Sequence, residues 1–353
     1  MVGIHRNLIN MKILLVQTAF LGDCVLTTPL IHAIRDAYPG AELSVLTTPS
    51  GAGIFENNPH LDEIIVYDKR NENEGFGEFF RLAGKLRKQG FDLAIIPHRS
   101  FRSGFLCFAG GIRQRIGFSA APGSIFYTAS AHRNMELHEA ERLLELLTPL
   151  GFESTPLPTE LFPGNSDRTT VATFLEKHGF GGGDRILAVA PGSVWGTKRY
   201  PIQQFAETVS ILLSESDFSG AVLIGGENDS DLAEVIICAT DGNAVSAVGI
   251  GGILTAAALI ERSSVLIGND SAPAHIAAAV GTPVVAIFGP TVREFGFVPY
   301  SNSVTIVETE EELKCRPCSR HGKMTCSHHD CMKTIPPRRV AEAVQNLLLG
   351  DPD

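Results

Sequence analysis

The feature that most constrains this chain is a repeated alternation of short Val/Ile/Leu-rich runs with amphipathic stretches. KILLVQ (12–17), AELSVLTT (41–48), EIIVYD (63–68) and DLAIIPH (92–98) are apolar in blocks rather than at every second residue. Strands of that kind are dry on both faces, the situation of a parallel sheet covered by helices. Helical patterns near 25–37, 76–89 and 136–150 supply the cover. Residues 153–167, ESTPLPTELFPGNSD, are rich in proline and polar side chains and carry no period, which marks a connection between domains.

The alternation then restarts. ILAVAP, AVLIGG, VLIGND and VVAIFG interleave with helical patterns near 168–179, 201–214, 229–239, 253–262 and 273–280, and a last helix spans 337–349. At 353 residues the chain exceeds one ordinary core. The expected fold is α/β: two Rossmann-like, doubly wound domains, 1–155 and 168–335, facing a central cleft, with a helix and tail at 336–353.

A formal charge of −10 argues against a nucleic-acid partner. No run approaches the roughly 18–20 apolar residues of a membrane span. MKILLV is brief and leads to Gly22 and Asp23 rather than to a small-residue cleavage site, so it does not read as a signal peptide. Met11 looks like the natural start, with residues 1–10 a leader tail or an over-called beginning. The cytoplasm is the expected compartment.

Of seven cysteines, Cys24, Cys107 and Cys238 sit in apolar contexts and read as buried thiols. Cys315, Cys318, Cys326 and Cys331 form C-x2-C-x7-C-x4-C, with His321, His328 and His329 interspersed. The first pair has metal-knuckle spacing and the second is looser than a zinc ribbon. A structural metal and reduced thiols both stay open, with disulfides last in a cytosolic setting.

Two helix-entry loops carry the chemistry. GNDSAPAHIAAAVG (268–281) ends a strand in Gly268, offers Asn269 to Ser271 as caps, and places Pro273 in the first helical turn. Unpaired N–H groups and the helix dipole favour a phosphate there, with His275 as a further donor and Asp270 accepting a sugar hydroxyl or organising the loop. The bland alternative is ordinary capping. Gly289-Pro290-Thr291 arrives at the same end of the sheet, where open α/β sheets bind ligands. PGSVWGTKRYP (191–201) adds Ser193, Thr197, Lys198 and Arg199 between Gly192 and Pro201, a set suited to a diphosphate. After AVLIGG, Glu227 stands where an acid could take ribose hydroxyls, and Asp229 is expected to cap the next helix.

In the first half, TAFLGDCVLTTPL (18–30) sets Asp23 at the opening helical turn, where the dipole favours a carboxylate that could accept a hydroxyl proton. Its bland alternative is a helix cap. Arg99, Arg102, Arg113 and Arg115, with His98 beside them, are expected to gather after strand ends and bind an anionic acceptor; solvated helix ends are the competing explanation. No nucleoside-triphosphatase phosphate loop, strand-borne G-x-G-x-x-G, G-x-S-x-G or H-E-x-x-H occurs.

LGDCVLTTP, PGSVWGTKRYP and GNDSAPAHIAAAVGTPVVAIFGPT together resemble the bacterial lipopolysaccharide heptosyltransferases, family 9 of the glycosyltransferases, over nearly the whole chain. CRPCSRHGKMTCSHHDCM is similar to the cysteine-bearing stretch of the heptosyltransferase II branch. The resemblance implies GT-B architecture and an inverting, metal-independent transfer with no cofactor. ADP-L-glycero-D-manno-heptose would be the donor substrate, and a lipid A–Kdo–heptose acceptor would be met at the inner face of the membrane. It makes Asp23 the general base and Lys198 the diphosphate contact, with Ser193 and Thr197 nearby. Glu227 takes the ribose, and Asp270, Ser271 and His275 line the diphosphate and sugar pocket. Tyr200 stands where many members have Trp, and Ala272 where many have Gly. The rival readings are a related family 9 transferase using another nucleotide sugar, a non-catalytic nucleotide-sugar binder and, more weakly, a dehydrogenase.

Overall fold

The structure, a computed structural model, describes residues 11–68, 75–153 and 155–350. The stretch before Met11 lies outside the described residues. The chain separates into two compact units, Met1–Glu160 and Leu161–Asp353.

The first unit runs β1 (Lys12–Val16), α1 (Leu21–Leu26), α2 (Thr28–Ala37), β2 (Glu42–Thr47), α3 (Pro49–Phe55) and β3 (Glu63–Val66). It continues with α4 (Gly75–Gln89), β4 (Leu93–Ile96), α5 (Phe101–Ala109), β5 (Gln114–Phe118), β6 (Ala129–Ala131) and α6 (Glu139–Leu144). Its six strands pair in parallel in the order β3-β2-β1-β4-β5-β6.

The second unit runs α7 (Asn165–Lys177), β7 (Ile186–Ala190), α8 (Ile202–Glu215), β8 (Gly220–Leu223), α9 (Ser230–Cys238), β9 (Ala244–Ser246) and α10 (Ile253–Arg262). It ends with β10 (Val265–Asn269), α11 (Ala272–Ala279), β11 (Val284–Phe288), β12 (Val304–Glu308), α12 (Asp330–Lys333) and α13 (Pro337–Leu349). Its strands are parallel in the order β12-β11-β10-β7-β8-β9. Each sheet therefore starts at its centre and reverses direction once, between β1 and β4 and between β7 and β10. Such a reversal opens a crevice at the carboxyl ends of the two strands.

The apolar blocks behave as the alternation predicts. Leu187, Val189, Leu223, Ile267, Val285 and Ile287 pack on one side with Phe205 and Val209 of α8, Ile236 of α9 and Val340 and Val344 of α13. The alternate residues Ile186, Ala188, Val222, Leu266 and Ala286 are equally dry, so the sheet is buried on both faces. In the first unit, Leu14, Val16, Leu46, Ala94 and Ile96 meet Phe79, Leu82 and Leu86 of α4 and Leu106 of α5.

Three expectations need correction. The helix expected over 25–37 is two, because Pro29 has no N–H to bond the carbonyl of Val25; the Thr28 hydroxyl takes that carbonyl instead at 2.8 Å. The helix expected over 136–150 is α6 followed by a 3-10 turn, Glu145–Leu150, that contains Pro149 and ends at left-handed Gly151 (φ 86°). The aperiodic connection ends sooner than the composition suggests: Asn165 already opens α7, because Asp167 reaches back to the Gly164 N–H at 2.9 Å.

Arg142 of α6 is fully buried. Its guanidinium donates to the carbonyls of Asn134 at 2.9 Å and Met135 at 2.6 Å and to Glu139 Oε2 at 3.2 Å, while Arg133 donates to the same Glu139 oxygen at 2.5 Å. A buried charge is tolerated only while its partners remain. Arg142→Met is expected to lower the unfolding free energy by about 3–5 kcal/mol in urea denaturation. A loss under about 1 kcal/mol, the size typical of an exposed pair, would show that this network contributes little.

Candidate active site

The carboxyl edge of the second sheet gathers the polar loops at its reversal. Lys198 Nζ, from the 3-10 turn Gly196–Lys198 after β7, donates to Asp270 Oδ2 at 2.5 Å. Thr291, after β11, donates its hydroxyl to the same oxygen at 2.6 Å. All three side chains are buried. Asn269 stitches the loops through its amide: Nδ2 donates to the Pro191 carbonyl at 2.8 Å and Oδ1 accepts the Tyr200 N–H at 2.9 Å. Tyr200 in turn donates to the Ile335 carbonyl at 2.8 Å, and burial pushes its phenol pKa up. The aromatic at this position is a buried anchor.

Ser271 occupies the N-cap position of α11, yet its side chain makes no cap bond; its hydroxyl lies 3.4 Å from the Gly192 carbonyl. The expected capping is absent, and the amino end of α11 is left without a side-chain cap. His275 sits buried in the first turn. Glu227 is an exposed acid in a 3-10 turn after β8, and Ser193 is half-buried, its carbonyl accepting Arg199 Nε at 2.8 Å. Asp229 does not cap α9 with its side chain. It folds back to the Gly226 N–H at 3.1 Å and lies against Gly192, where an added Cβ would fall 2.4 Å from its Oδ1. A side chain at 192 would have to displace the Asp229 carboxylate.

The cysteine-bearing segment braces these loops. Thr197 Oγ1 donates to the Lys323 carbonyl at 2.8 Å and accepts the Lys323 N–H at 2.7 Å, so its hydroxyl is committed to protein backbone. Its proton is thus already donated within the protein, although Thr197 stays next to Lys198 in the same turn. Arg316 donates to the carbonyls of Gly289 at 2.7 Å and Thr291 at 3.0 Å, and the Cys318 N–H bonds Pro290 at 2.9 Å. A Cβ on Gly196 would fall 2.2 Å from the Met324 carbonyl. His321 joins the site: burial and then the positive Lys198 and Arg320 lower its pKa, with Asp270 opposing. Sequence reading counted His321 only among the histidines of this segment, because nothing local places it beside residues so far upstream.

In the first unit, Asp23 is the third residue of α1, half-buried, and its Oδ2 accepts the Phe20 N–H at 3.2 Å. The capping role is therefore real. His98, at the end of β4, spans the reversal: Nδ1 lies 3.1 Å from the Val16 carbonyl, and Nε2 lies 3.1 Å from Thr18 Oγ1 and 2.9 Å from Ser103 Oγ. A carbonyl only accepts, so Nδ1 carries the proton, and in the neutral ring Nε2 accepts from a hydroxyl.

The four arginines do not gather. Arg99 and Arg102 stand exposed near the carboxyl edge, Arg99 donating to the Ala120 carbonyl at 3.0 Å and Arg102 to the Tyr67 hydroxyl. Arg113 and Arg115 lie at the entry to β5, the opposite edge of a parallel sheet. Arg115 spends its guanidinium on the carbonyls of Phe126, Ile112 and Arg113. Cys24 and Cys107 are buried as expected, whereas Cys238 is exposed, lying off the Ala233/Ile236 stripe by which α9 packs.

Two Rossmann-ordered units, one carrying a buried cation at a glycine-flanked loop cluster, define an α/β protein of GT-B architecture. Comparison with known proteins agrees. The profile of glycosyltransferase family 9 (heptosyltransferase) matches residues 79–328. Lipooligosaccharide heptosyltransferase 2 of Haemophilus ducreyi is 26% identical over 96% of this chain and 99% of its own length. Lipopolysaccharide heptosyltransferase 3 of Escherichia coli is 29% identical over 81% of this chain and 85% of its own. The solved structure of E. coli ADP-heptose lipopolysaccharide heptosyltransferase II superposes with a TM-score of 0.79 at 22% identity, covering 97% of this chain and 99% of that one. The chain belongs to glycosyltransferase family 9.

The thiols of the bracing segment differ in reactivity. Backbone N–H bonds from His328 and His329 hold the Cys326 pKa below its usual value, while burial pushes Cys331 up to about 11 and Cys107 up to about 12. The thiolate is the nucleophile, so a lower pKa means alkylation at lower pH. As pH rises from about 7 to about 9, iodoacetamide should modify Cys326 early and leave Cys331 and Cys107 intact. Peptide mass spectrometry reads the order, and early labelling of Cys107 would contradict it.

Proposed function

We propose that this protein moves a heptose from ADP-heptose to the anionic inner core of lipopolysaccharide, with inversion at the anomeric carbon. Relatives of types 2 and 3 both appear, and coverage of 96% against 81% of this chain favours a type 2 acceptor. The observation that carries the reading is the buried Lys198–Asp270–Thr291 group at the carboxyl edge of the second sheet. An ammonium has three donors. With one on Asp270, the others are available to diphosphate oxygens beside the amino end of α11, where the helix dipole favours negative charge.

In this mechanism the acceptor hydroxyl oxygen forms a bond to the anomeric carbon from the face opposite the diphosphate. The bond from that carbon to the diphosphate oxygen breaks, and its electron pair leaves with ADP. Asp23, held in place by its bond to Phe20, takes the hydroxyl proton. Lys198 offsets the charge that grows on the leaving group. Asp270 fixes Lys198 rather than binding sugar, Glu227 receives the ribose, and Ser193, Ser271 and His275 complete the donor pocket. No resident cofactor takes part.

The first unit supplies the acceptor side. Phe20 before α1, Phe101 at the start of α5 and Ile125 in the turn after β5 are 50%, 51% and 74% exposed, in company with Arg99 and Arg102. Apolar tips beside guanidinium groups suit a lipid-linked, anionic acceptor at the surface of the cytoplasmic face of the inner membrane. Among the described residues no helix is long and apolar enough to cross a membrane.

With ADP-heptose and a core-truncated acceptor, Asp23→Asn should lower kcat about a thousand-fold while calorimetry finds ADP affinity unchanged. Lys198→Ala should lower kcat about a hundred-fold and weaken ADP binding. Retained turnover in the Asp23 variant would remove it from the reaction, and preference for another nucleotide sugar would reassign the donor. Co-sedimentation with anionic vesicles should fall in the double variant Phe101→Ser, Ile125→Ser; unchanged sedimentation would rule out this rim as the membrane contact.

A further inference from the structure

The first unit also brings together three metal-ligating side chains that the transfer reaction leaves unused. His32 lies midway along α2, His60 in the loop between α3 and β3, and Glu160 in the segment between the 3-10 turn Glu145–Leu150 and α7. One ligand atom from each lies within 4.8 Å of the other two. Glu160 Oε2 stands 3.3 Å from His32 Nδ1 and 3.6 Å from His60 Nε2. The two imidazoles stack, with centroids 4.2 Å apart and planes 21° from parallel.

These contacts are close, yet His32 Nδ1 and Glu160 Oε2 are both buried and neither makes a hydrogen bond. The spacing has another meaning. Nitrogen and oxygen ligands about 2.0–2.2 Å from a tetrahedral ion stand about 3.3–3.6 Å from one another. We propose that His32, His60 and Glu160 bind one Zn²⁺ ion, with water completing the tetrahedron, and that the ion fastens the segment carrying Glu160 to α2 and the α3–β3 loop.

Several further features suit this. Two histidines and a carboxylate form a donor set that zinc accepts. The other nitrogen of His32, Nε2, faces Asp36 Oδ2 at 3.7 Å on the same helix, the kind of carboxylate that orients a ligating imidazole. The Glu160 N–H already bonds Thr28 Oγ1 at 2.9 Å, so the carboxylate is presented from an anchored backbone. Stacked rings do not both point at one ion, so binding turns one imidazole about its Cβ–Cγ bond; the His32 and His60 side chains are 26% and 20% exposed. His60 precedes β3, at the amino edge of the parallel sheet and away from Asp23. The ion is therefore structural and takes no part in transfer.

The test is titration of the metal-stripped full-length protein with Co²⁺, followed by displacement with Zn²⁺. The cysteine segment could also bind Co²⁺, but thiolate ligation adds an intense sulfur-to-cobalt charge-transfer band that a nitrogen–oxygen site lacks. One equivalent showing only ligand-field bands is expected in the wild type. Its affinity should fall at least about ten-fold in His60→Gln and in Glu160→Gln, the range for loss of a ligand-shell group. Zn²⁺ should raise the thermal midpoint of the wild type and not of these variants, with circular dichroism confirming their fold. Should Glu160→Gln prove unstable, His60→Gln and His32→Asn carry the same comparison. Equal affinity in wild type and folded variants, or cobalt bound only with the sulfur band, overturns the proposal.

Discussion

The loop cluster at the carboxyl edge of the second sheet depends on one buried ion pair. Lys198 and Asp270 have side chains only 11% and 7% exposed and meet at 2.5 Å. Two charges taken that far out of water are sustained only by each other and by further hydrogen bonds, which the Thr291 hydroxyl supplies. The three residues follow β7, β10 and β11, adjacent strands at the reversal of the second sheet. Satisfying the pair therefore fixes three loops in one arrangement. It also holds the ammonium where an anion can share it.

The cysteine-bearing segment makes that arrangement rigid. Thr197 exchanges two bonds with the backbone of Lys323, His329 Nε2 lies 2.8 Å from the Thr197 carbonyl, and Arg316 clamps the carbonyls of Gly289 and Thr291. The glycines of the loop follow from this crowding. Gly196 lies under the Met324 carbonyl, which leaves no space for a side chain, and one at Gly192 would displace the Asp229 carboxylate. A stretch that reads as a metal motif in sequence serves here as a brace for these loops, whatever its thiols hold.

The two units share a strand order and differ in the loops they carry. The second concentrates a cation, an uncapped helix end and small-residue loops, which suit a nucleotide diphosphate. The first offers a carboxylate pinned at a helix start, His98 linking β1 to β4, and apolar tips beside arginines. One sheet topology thus serves two different surfaces, because function resides in the loops at the carboxyl edge and leaves the covered sheet unchanged.

Sequence alone determined the architecture, because strands buried on both faces must be apolar in blocks and that pattern is local. It also located the loops that meet at the carboxyl edge of the second sheet, since glycines, a helix-opening proline and paired cations sit next to one another in the chain. What it missed was long-range or directional. Pro29 splits a helix that periodicity joins, because the missing N–H matters more than the apolar stripe. Arg113 and Arg115 look close to Arg99 along the chain but lie at the other edge, because a parallel sheet sends strand starts and strand ends to opposite sides. The partner of Lys198, the commitment of the Thr197 hydroxyl, the approach of His321 and the meeting of His32, His60 and Glu160 were decided only by tertiary structure. Each joins residues separated by whole elements, and no local spacing encodes where a distant loop comes to rest.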